Sequence, residues 1–530
     1  MSSGRCEELI SQVPGNNGSE IVEFYKGAKV LVTGGTGFLG LLIIEKLLRS
    51  CPDIVTIYML IRQKKGKSVE ERFKECFNDT VFSRLKREQP DFLNKIAMIE
   101  GDATEENFGL SAESILTLND TNIVIHAAAI VKFNEKLRTM VHTNVRTTKQ
   151  LLLWAKTLPN LKSFVYVSTA FSNCVHETID EIHYDPPMDC DKLMTLVDCL
   201  DDDKLLAIEA TLRGKWPNNY AFSKSTAESV VLKYAGDFPV GIVRPSIVTT
   251  TFHEPIAGWI NNINGAVGIA FASTLGLMHT MHCVSECAAE VIPADYVVSN
   301  IIAAIWDISK RNALTKLEKK SDVPDEERVT IYNQVSSSQN RIDWGTHLNM
   351  CRRSLGTVHS ARMIWHCWLI YNRYLFMHNI YSKLFHIIPA IIVDTFARLA
   401  GHKPMLMDAY AKMDKFGDVI SFFTTQQWKF RDENVKKLWS KLGPIDRKSF
   451  NFNVADINWP EYFDVYMRGI RVYSLKDPLT EESIRAGRSK FWKLNIANYV
   501  VMTLYALLVL WIVYSLVALP IVTLAFSLVS

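Results

Sequence analysis

A tyrosine and a lysine stand four residues apart in the segment Asn219-Tyr220-Ala221-Phe222-Ser223-Lys224. On a helix, this spacing puts both side chains on one face. A free tyrosine has a pKa near ~10, so it is a weak acid–base catalyst at neutral pH unless a neighbouring cation lowers that pKa. We therefore predict that Tyr220 donates a proton to a carbonyl oxygen and that the ammonium group of Lys224 lowers the pKa of Tyr220.

A hydroxyl group is expected beside this pair to orient the substrate oxygen. Ser168 and Thr169 come directly after the apolar stretch Phe164–Val167, where the carboxyl end of a parallel strand would present them. We predict that Thr169 has this role and keep Ser168 as the second candidate. Tyrosine–lysine pairs at this spacing also occur on ordinary protein surfaces, so the prediction depends on a cofactor site elsewhere in the chain.

That cofactor site is indicated by a glycine-rich segment, Thr33-Gly34-Gly35-Thr36-Gly37-Phe38-Leu39-Gly40, which follows an apolar strand and precedes a predicted helix over Leu41–Leu48. Gly34 allows a tight turn, Gly37 lets the backbone approach a pyrophosphate, and Gly40 lets the helix pack on the strand. Backbone N–H groups and the positive end of the helix would then bind the phosphates. The predicted dinucleotide contacts are Thr33, Gly34, Thr36, Gly37, Phe38, Leu39 and Gly40.

The choice between the two nicotinamide dinucleotides depends on the end of the second strand. An acidic residue there binds the ribose hydroxyls of NAD, whereas the strand Ile54–Leu60 runs into Ile61-Arg62-Gln63-Lys64-Lys65 without a carboxylate. Arg62, helped by Lys64 or Lys65, can pair with the 2′-phosphate of NADPH. NADPH is therefore the predicted cofactor. An ordinary solvated basic loop is the alternative interpretation.

Three further residues complete the predicted cofactor site. Asp102 follows the third strand and is placed to meet the adenine amine. Ala127, in His126-Ala127-Ala128-Ala129, supplies a small side chain where the backbone passes close to the cofactor. Lys224 is expected to hold the nicotinamide ribose as well as to act on Tyr220.

The elements that must position these residues form an alternating pattern. From Ala28 to about Ile308, short apolar runs alternate with helical stretches, which is typical of an α/β fold with a Rossmann-type doubly wound parallel sheet. Ile331–Gln334 adds one more candidate strand, and the charged stretch Arg311–Arg328 is predicted to be a surface loop. The predicted strands of the alternating part are Lys29–Thr33, Ile54–Leu60, Ile96–Glu100, Asn122–Ala127, Ser163–Ser168 and Val240–Arg244.

Changes in composition divide the chain further. Residues 1–22 are polar and predicted to be disordered, residues 23–358 form the dinucleotide-binding domain, and residues 359–480 form a mainly helical domain. Within the helical domain, Ile380–Leu399 is apolar but is interrupted by polar and charged residues and a proline. Those interruptions argue against a free-standing span and favour a helical part that covers a hydrophobic channel or contacts the bilayer surface. Aromatic residues in this part fit either an acyl channel or an ordinary core.

A membrane anchor is predicted after a basic segment, residues 481–497. From Asn498 to Ser530 the chain has no charged residue, and Asn498–Leu519 alone could cross a hydrocarbon core of ~30 Å as a helix. Pro520 leaves a single pass and a hairpin both open. The basic residues before the run, by the positive-inside rule, place the catalytic domain in the cytosol: Arg485, Arg488, Lys490 and Lys493.

Composition excludes two other classes. The formal charge of +3 is nearly balanced, and the sequence has no basic stripe interleaved with aromatic residues. No nucleic-acid partner is therefore predicted. The ten cysteines are scattered, as expected for reduced thiols facing the cytosol. His279, His282, Cys283 and Cys287 are too crowded for the usual zinc spacing, so no metal is predicted.

Together these motifs resemble the alcohol-forming fatty acyl-CoA reductases, extended short-chain dehydrogenase/reductases, and the insect members most of all. The resemblance covers roughly residues 25–475 and the anchor, with Asn261 standing where the family often has aspartate. Beyond the glycine segment and Tyr220/Lys224, it lies in Tyr58-Met59-Leu60-Ile61-Arg62, Val165-Tyr166-Val167-Ser168-Thr169-Ala170, Val243-Arg244-Pro245-Ser246-Ile247-Val248, Glu254-Pro255-Ile256-Ala257-Gly258-Trp259-Ile260-Asn261-Asn262, Gly401-His402-Lys403-Pro404 and Trp428-Lys429-Phe430.

The resemblance implies reduction of a long-chain acyl-CoA to a fatty alcohol in two hydride steps, through an aldehyde and with release of CoA. It also implies a lipid membrane as partner, with the endoplasmic reticulum or lipid droplets as the expected site and the peroxisomal membrane as the alternative. Two other functions are compatible with the motifs: another membrane-bound extended reductase, such as a 3β-hydroxysteroid dehydrogenase or a sugar-nucleotide epimerase, and a catalytically silent NADP-binding scaffold.

Overall fold

Seven parallel strands form the central sheet, in the order β11-β7-β5-β4-β1-β2-β3. The structure is a computed structural model that describes residues 18–64, 66–133, 135–236, 238–317, 328–356 and 358–518. β4 and β5 are buried along their whole length, as expected for parallel strands covered on both faces. The sheet strands are β1 (Lys29–Thr33), β2 (Thr56–Ile61), β3 (Ile96–Glu100), β4 (Ile123–His126), β5 (Ser163–Val167), β7 (Val240–Pro245) and β11 (Thr330–Gln334).

Helices connect these strands and cover both faces of the sheet, which gives the doubly wound arrangement. The helices of this part are α1 (Glu20–Tyr25), α2 (Phe38–Ser50), α3 (Val69–Asn78), α4 (Ser83–Glu88), α5 (Ala112–Leu118), α6 (Leu137–Met140), α7 (Thr147–Ala155), α8 (Cys190–Cys199), α9 (Asp202–Arg213), α10 (Asn219–Ala235), α11 (Gly265–Thr274), α12 (Ala294–Leu317) and α13 (Trp344–Leu355).

The C-terminal part is mainly helical and is joined to the first part by two short parallel strand pairs, β6–β13 and β9–β12. A third pair, β8–β10, lies within the first part. The short strands are β6 (Thr178–Ile179), β8 (Ile247–Thr249), β9 (Thr280–His282), β10 (Val291–Pro293), β12 (Ile370–Asn372) and β13 (Lys429–Phe430). The helices are α14 (Leu375–Ser382), α15 (Ile388–Leu399), α16 (Leu406–Thr425), α17 (Glu433–Lys441), α18 (Pro444–Ser449), α19 (Trp459–Gly469) and α20 (Glu481–Val513).

The predicted fold class is confirmed, and the ends of the predicted strands either match the structure or shift by one or two residues. The helix after the glycine segment begins at Phe38 rather than Leu41, because the turn closes earlier than the apolar pattern suggested. The charged stretch Arg311–Arg328 was expected to be a loop, but α12 continues through Leu317. Asp307 explains part of this extension, since its carboxylate accepts a hydrogen bond from Arg311 one turn later.

Two helical stretches are long and apolar enough to cross a membrane. Within Leu375–Leu399, which contains α14 and α15, an 18-residue window has a mean hydropathy of 1.4, and within Glu481–Leu516, which contains α20, such a window has a mean hydropathy of 2.2. In the second, only 6% of the apolar window is buried in the protein. The predicted span beyond Ala518, including Pro520, lies outside the described residues.

Candidate active site

The glycine turn lies between β1 and α2, at the centre of the sheet. Gly34 has a φ of +74°, and a Cβ atom there would lie 2.7 Å from the backbone nitrogen of Ala128. A Cβ atom on Gly40 would collide with the carbonyl oxygen of Gly34. These glycines therefore keep the chain in contact with the end of β4 and seat α2 on the turn, leaving a backbone cradle that fits a dinucleotide phosphate at the N-terminus of α2.

Tyr220 and Lys224 lie on α10, which Asn218 caps by accepting a hydrogen bond of 2.9 Å from the backbone N–H of Ala221. Both side chains line a cavity of about 330 Å³ that the glycine turn also lines. The helix and the turn, far apart in sequence, thus meet at one site. Of the residues predicted from sequence, the cavity is lined by Gly34, Gly37, Phe38, Leu39, Gly40, Ala127, Ser168, Thr169, Tyr220 and Lys224.

The ring of Tyr220 is packed against an aromatic side chain that also lines this cavity. That side chain is Phe133, and the two rings meet edge-on at 5.3 Å between centroids. Burial raises the pKa of Tyr220 to about 12, and a hydrogen bond with Thr169 opposes that rise. The pKa of Tyr220 is thus raised and not lowered as predicted, because desolvation outweighs the contacts that stabilise the phenolate.

Lys224 is 2% exposed and donates a hydrogen bond of 2.8 Å from Nζ to the carbonyl oxygen of Val167. The ammonium group also lies 4.7 Å from the ring centroid of Tyr166. Burial lowers the pKa of Lys224 to about 7, with Glu228 acting in the opposite direction. Lys224 is therefore a buried amine that is only partly protonated near neutral pH and is held in position at the carboxyl end of β5.

Thr169 and Ser168 differ in what their hydroxyl groups contact. Ser168 Oγ donates to Glu228 Oε1 at 2.5 Å, so this hydroxyl is committed to a buried carboxylate. Thr169 Oγ1 donates a long hydrogen bond of 3.5 Å to the carbonyl oxygen of Pro245 and lies close enough to Tyr220 to lower the pKa of that phenol, so it is less firmly held than Ser168. The geometry favours Thr169 as the hydroxyl that faces a substrate oxygen.

Glu228 is a residue of this site that sequence reasoning missed. Its carboxylate forms a buried ion pair with Arg244, with Oε2 at 2.7 Å from Nη2, and accepts hydrogen bonds from Ser168 and Ser172. Arg244 keeps the pKa of Glu228 below its usual range. The sequence spacing could have indicated Glu228, because it follows Lys224 by four residues on α10 and continues the helix face that carries Tyr220.

The other predicted residues gather at the end of β2. Arg62 Nη1 lies 3.5 Å from Asp102 Oδ2. Arg72, on α3, donates to the carbonyl oxygen of Arg62 and, at 3.3 Å, to the hydroxyl of Thr36. Sequence reasoning missed Arg72, since nothing in the spacing indicates that α3 turns back onto the glycine turn. Lys65 lies outside the described residues.

Thr33 is the predicted residue whose side chain is turned away from the cofactor face. Its Oγ1 is 2.7 Å from Nδ1 of His126, and the other ring nitrogen of His126 is 3.0 Å from the hydroxyl of Thr148. Burial lowers the pKa of His126 to about 3, so the imidazole is neutral and links β1 to β4. The backbone of Thr33, rather than its hydroxyl, is left to contact a dinucleotide.

The C-terminal part closes the cavity with apolar side chains. α16 contributes Ile420 and Phe423, and the ring of Phe423 packs against that of Phe133 at 5.9 Å between centroids. Asn262 and Asn264, which precede α11 in the sequence, also line the cavity. The polar part of the cavity at Tyr220 and Lys224 is therefore continuous with an apolar part that is built from both parts of the chain.

This sheet order, the glycine turn and the tyrosine–lysine pair define a nicotinamide-dependent oxidoreductase of the extended short-chain dehydrogenase/reductase type. Two family models described as male sterility protein match the chain, an NAD-binding model over residues 32–301 and a second model over residues 385–477.

Two curated relatives identify the family. Fatty acyl-CoA reductase 1 of Rattus norvegicus is 35% identical over 491 residues, with 92% of each chain covered. Fatty acyl-CoA reductase wat of Drosophila melanogaster is 34% identical over 515 residues, covering 97% of this chain and 96% of that protein. The chain therefore belongs to the fatty acyl-CoA reductase family. Among solved structures, a reductase domain of a nonribosomal peptide synthetase from Mycobacterium tuberculosis shares the fold, with a TM-score of 0.54 at 17% identity over 90% of this chain and 96% of that chain.

Proposed function

We propose that this protein reduces long-chain acyl-CoA to fatty alcohol with NADPH, through an aldehyde and with release of CoA. The observation that supports this most directly is the shared cavity. Tyr220 and Lys224 line it beside the glycine turn, and much of the remaining lining is apolar, including side chains from α11 and α16. A thioester carbonyl at the polar end and an acyl chain against the apolar walls match this division.

NADPH, when bound, supplies the hydride for each step. Thr169 and Tyr220 both line the cavity, and in the proposed reaction their hydroxyl groups donate hydrogen bonds to the carbonyl oxygen of the thioester and later of the aldehyde. In the second step Tyr220 passes its phenolic proton to that oxygen, and its raised pKa keeps the phenol protonated until then. Lys224 holds the ribose. In total, two NADPH and two protons convert one acyl-CoA to one alcohol, one CoA thiol and two NADP⁺.

The proposal is tested with the purified full-length chain in detergent. Palmitoyl-CoA and NADPH are expected to give hexadecanol, with two NADPH oxidised and one thiol released for each alcohol, measured by absorbance, thiol titration and mass spectrometry. A steroid ketone offered in parallel separates the rival reductase activity. Oxidation of NADPH with the ketone but not with any acyl-CoA would overturn the proposal, and oxidation with neither would favour a silent scaffold.

The preference for NADPH is supported by two guanidinium groups at the end of β2. Arg72 donates to Thr36 and to the backbone of Arg62, and Arg62 lies beside Asp102. Thr36 belongs to the glycine turn, so both cations stand where the adenosine ribose of a dinucleotide would lie. Planar guanidinium groups bind phosphate in a bidentate manner, which suits the 2′-phosphate.

Replacing Arg72 by methionine is expected to weaken NADPH binding by about ten-fold or more, because a charge-assisted phosphate contact is lost, and to change NADH binding little. Dissociation constants from nicotinamide fluorescence titrations measure both effects. Lys74→Met is the matched control, since Lys74 is exposed on the same helix. Equal losses for NADPH and NADH in Arg72→Met would mean that Arg72 only supports the turn.

We also propose that α20 anchors the protein in a membrane, with the catalytic part in the cytosol. α20 carries Arg485, Arg488, Lys490 and Lys493 before its uncharged stretch, as expected for a cytosolic flank. The endoplasmic reticulum or lipid droplets are the proposed location, with the peroxisomal membrane as the alternative.

A further inference from the structure

α20 is docked on the rest of the protein along one face. A Cβ atom on Gly487 would collide with the backbone of His359, and Phe491 stacks on the His359 ring at 3.7 Å between centroids. Further along, Asn498 Oδ1 accepts a hydrogen bond of 3.0 Å from Trp365 Nε1. The spacings of four and seven residues keep these contacts on one side of the helix, so α20 is held against the body of the protein.

This docking continues into the uncharged stretch of α20. Tyr505 faces Phe385 at 6.5 Å between ring centroids. Tyr505 lies seven residues beyond Asn498, where the predicted membrane anchor begins, and a helix rises 1.5 Å per residue. Phe385 therefore stands beside a point ~10 Å into the stretch that is proposed to enter hydrocarbon.

Phe385 belongs to the segment Leu375–Leu399, which is amphipathic. Four residues at successive spacings of four are buried against the protein: Ser382, His386, Ala390 and Asp394. The Asp394 carboxylate accepts hydrogen bonds from the first backbone N–H groups of α16, so this acidic group is occupied inside the fold. The segment thus has one face committed to the body of the protein.

The other face is apolar and exposed. Phe376 is 61% exposed, Phe396 67% and Leu399 79%. Lys383 and Arg398 are the exposed charged residues of the segment, and their long side chains can extend to the headgroup level of a bilayer. The remaining large apolar side chains on the exposed face are Leu375, Ile380, Ile388, Ile391, Ile392 and Val393.

We propose that the exposed face of Leu375–Leu399 lies in the lipid bilayer as a second, monotopic contact, in the same leaflet as the beginning of the uncharged stretch of α20. A spanning helix is disfavoured, because one face of the segment is packed on the protein. The contact between Phe385 and Tyr505 sets its depth, and this inference rests on the proposed anchoring by α20. The protein would then contact the bilayer at two places, through α20 and through this apolar face.

The test places the photoreactive residue p-benzoylphenylalanine at one position at a time in the full-length chain, reconstituted in phosphatidylcholine vesicles. After irradiation, mass spectrometry measures lipid adducts. Phe396→p-benzoylphenylalanine is expected to give roughly ten-fold more lipid adduct than Leu206→p-benzoylphenylalanine. Leu206 is the matched control because it is 71% exposed on α9, in the first part of the chain.

A third position, Leu508 on α20, separates this inference from the proposed anchor. Lipid adducts at Leu508 with none above control at Phe396 would overturn the monotopic contact and leave the anchor in place. A lipid-free protein–protein adduct at Phe396 would also overturn it, in favour of a contact between two copies. The absence of adducts at all three positions would overturn the anchor and the contact together.

Discussion

Replacing Tyr220 by phenylalanine is expected to lower the rate of alcohol formation by about a thousand-fold, within the range ascribed to a positioned general acid. The phenolic proton is lost, whereas the ring that packs on Phe133 is kept. NADPH binding should change little, because the cofactor cradle is built from the glycine turn. Single-turnover alcohol formation and a fluorescence titration of NADPH measure the two effects separately.

Tyr234→Phe is the control, since it makes the same chemical change on the same helix, where the phenol donates to Asp191 outside the cavity. The defect of Tyr220→Phe should also be constant between about pH 6 and 9, because the phenol of Tyr220, with a pKa raised to about 12, stays protonated there. An unchanged rate in Tyr220→Phe would remove Tyr220 from the mechanism.

Replacing Lys224 by methionine is expected to lower turnover by about a hundred-fold or more and to stabilise the fold below neutral pH. Burial lowers the pKa of Lys224 to about 7, so between about pH 7 and 10 the unfolded chain binds a proton that the folded chain releases. Stability of the natural protein therefore rises with pH in this interval, and the full cost of the buried charge is present below it.

The thermal midpoint of Lys224→Met, measured in detergent, should exceed that of the natural protein most at about pH 6.5 and least at about pH 9.5. Lys233→Met is the control on the same helix, because Lys233 is exposed and its pairing with Asp189 and Asp191 raises its pKa. A midpoint difference for Lys224→Met that is independent of pH would contradict the assignment of a buried, partly neutral lysine.

The features that sequence predicted well are those that local physics determines. Parallel strands buried on both faces must be apolar throughout, so β4 and β5 could be identified from composition alone. The glycine turn could be identified from the sequence because the backbone at Gly34 and Gly40 has no room for a Cβ atom, so only glycine fits there. The spacing of Tyr220 and Lys224 predicted a shared face, and both line the same cavity as that turn.

Features that depend on burial and on distant contacts were missed. Spacing in the sequence shows which side chains are neighbours but not how far they are shielded from water. The direction predicted for the shift in the pKa of Tyr220 was therefore wrong. Arg72 reaches Thr36 only because α3 folds back across the edge of the sheet. The commitment of Ser168 to Glu228 likewise required the distance between α10 and the end of β5.

The short strand pairs β6–β13 and β9–β12 connect the two parts of the chain by backbone hydrogen bonds. Each pair takes one strand from either side of the boundary proposed at residue 358, and the cavity takes side chains from both sides. Such continuity differs from the small polar interfaces that let domains move independently. The two parts are therefore expected to unfold as one cooperative unit, and a deletion that removes either part would leave the other with unpaired strand edges and an open core.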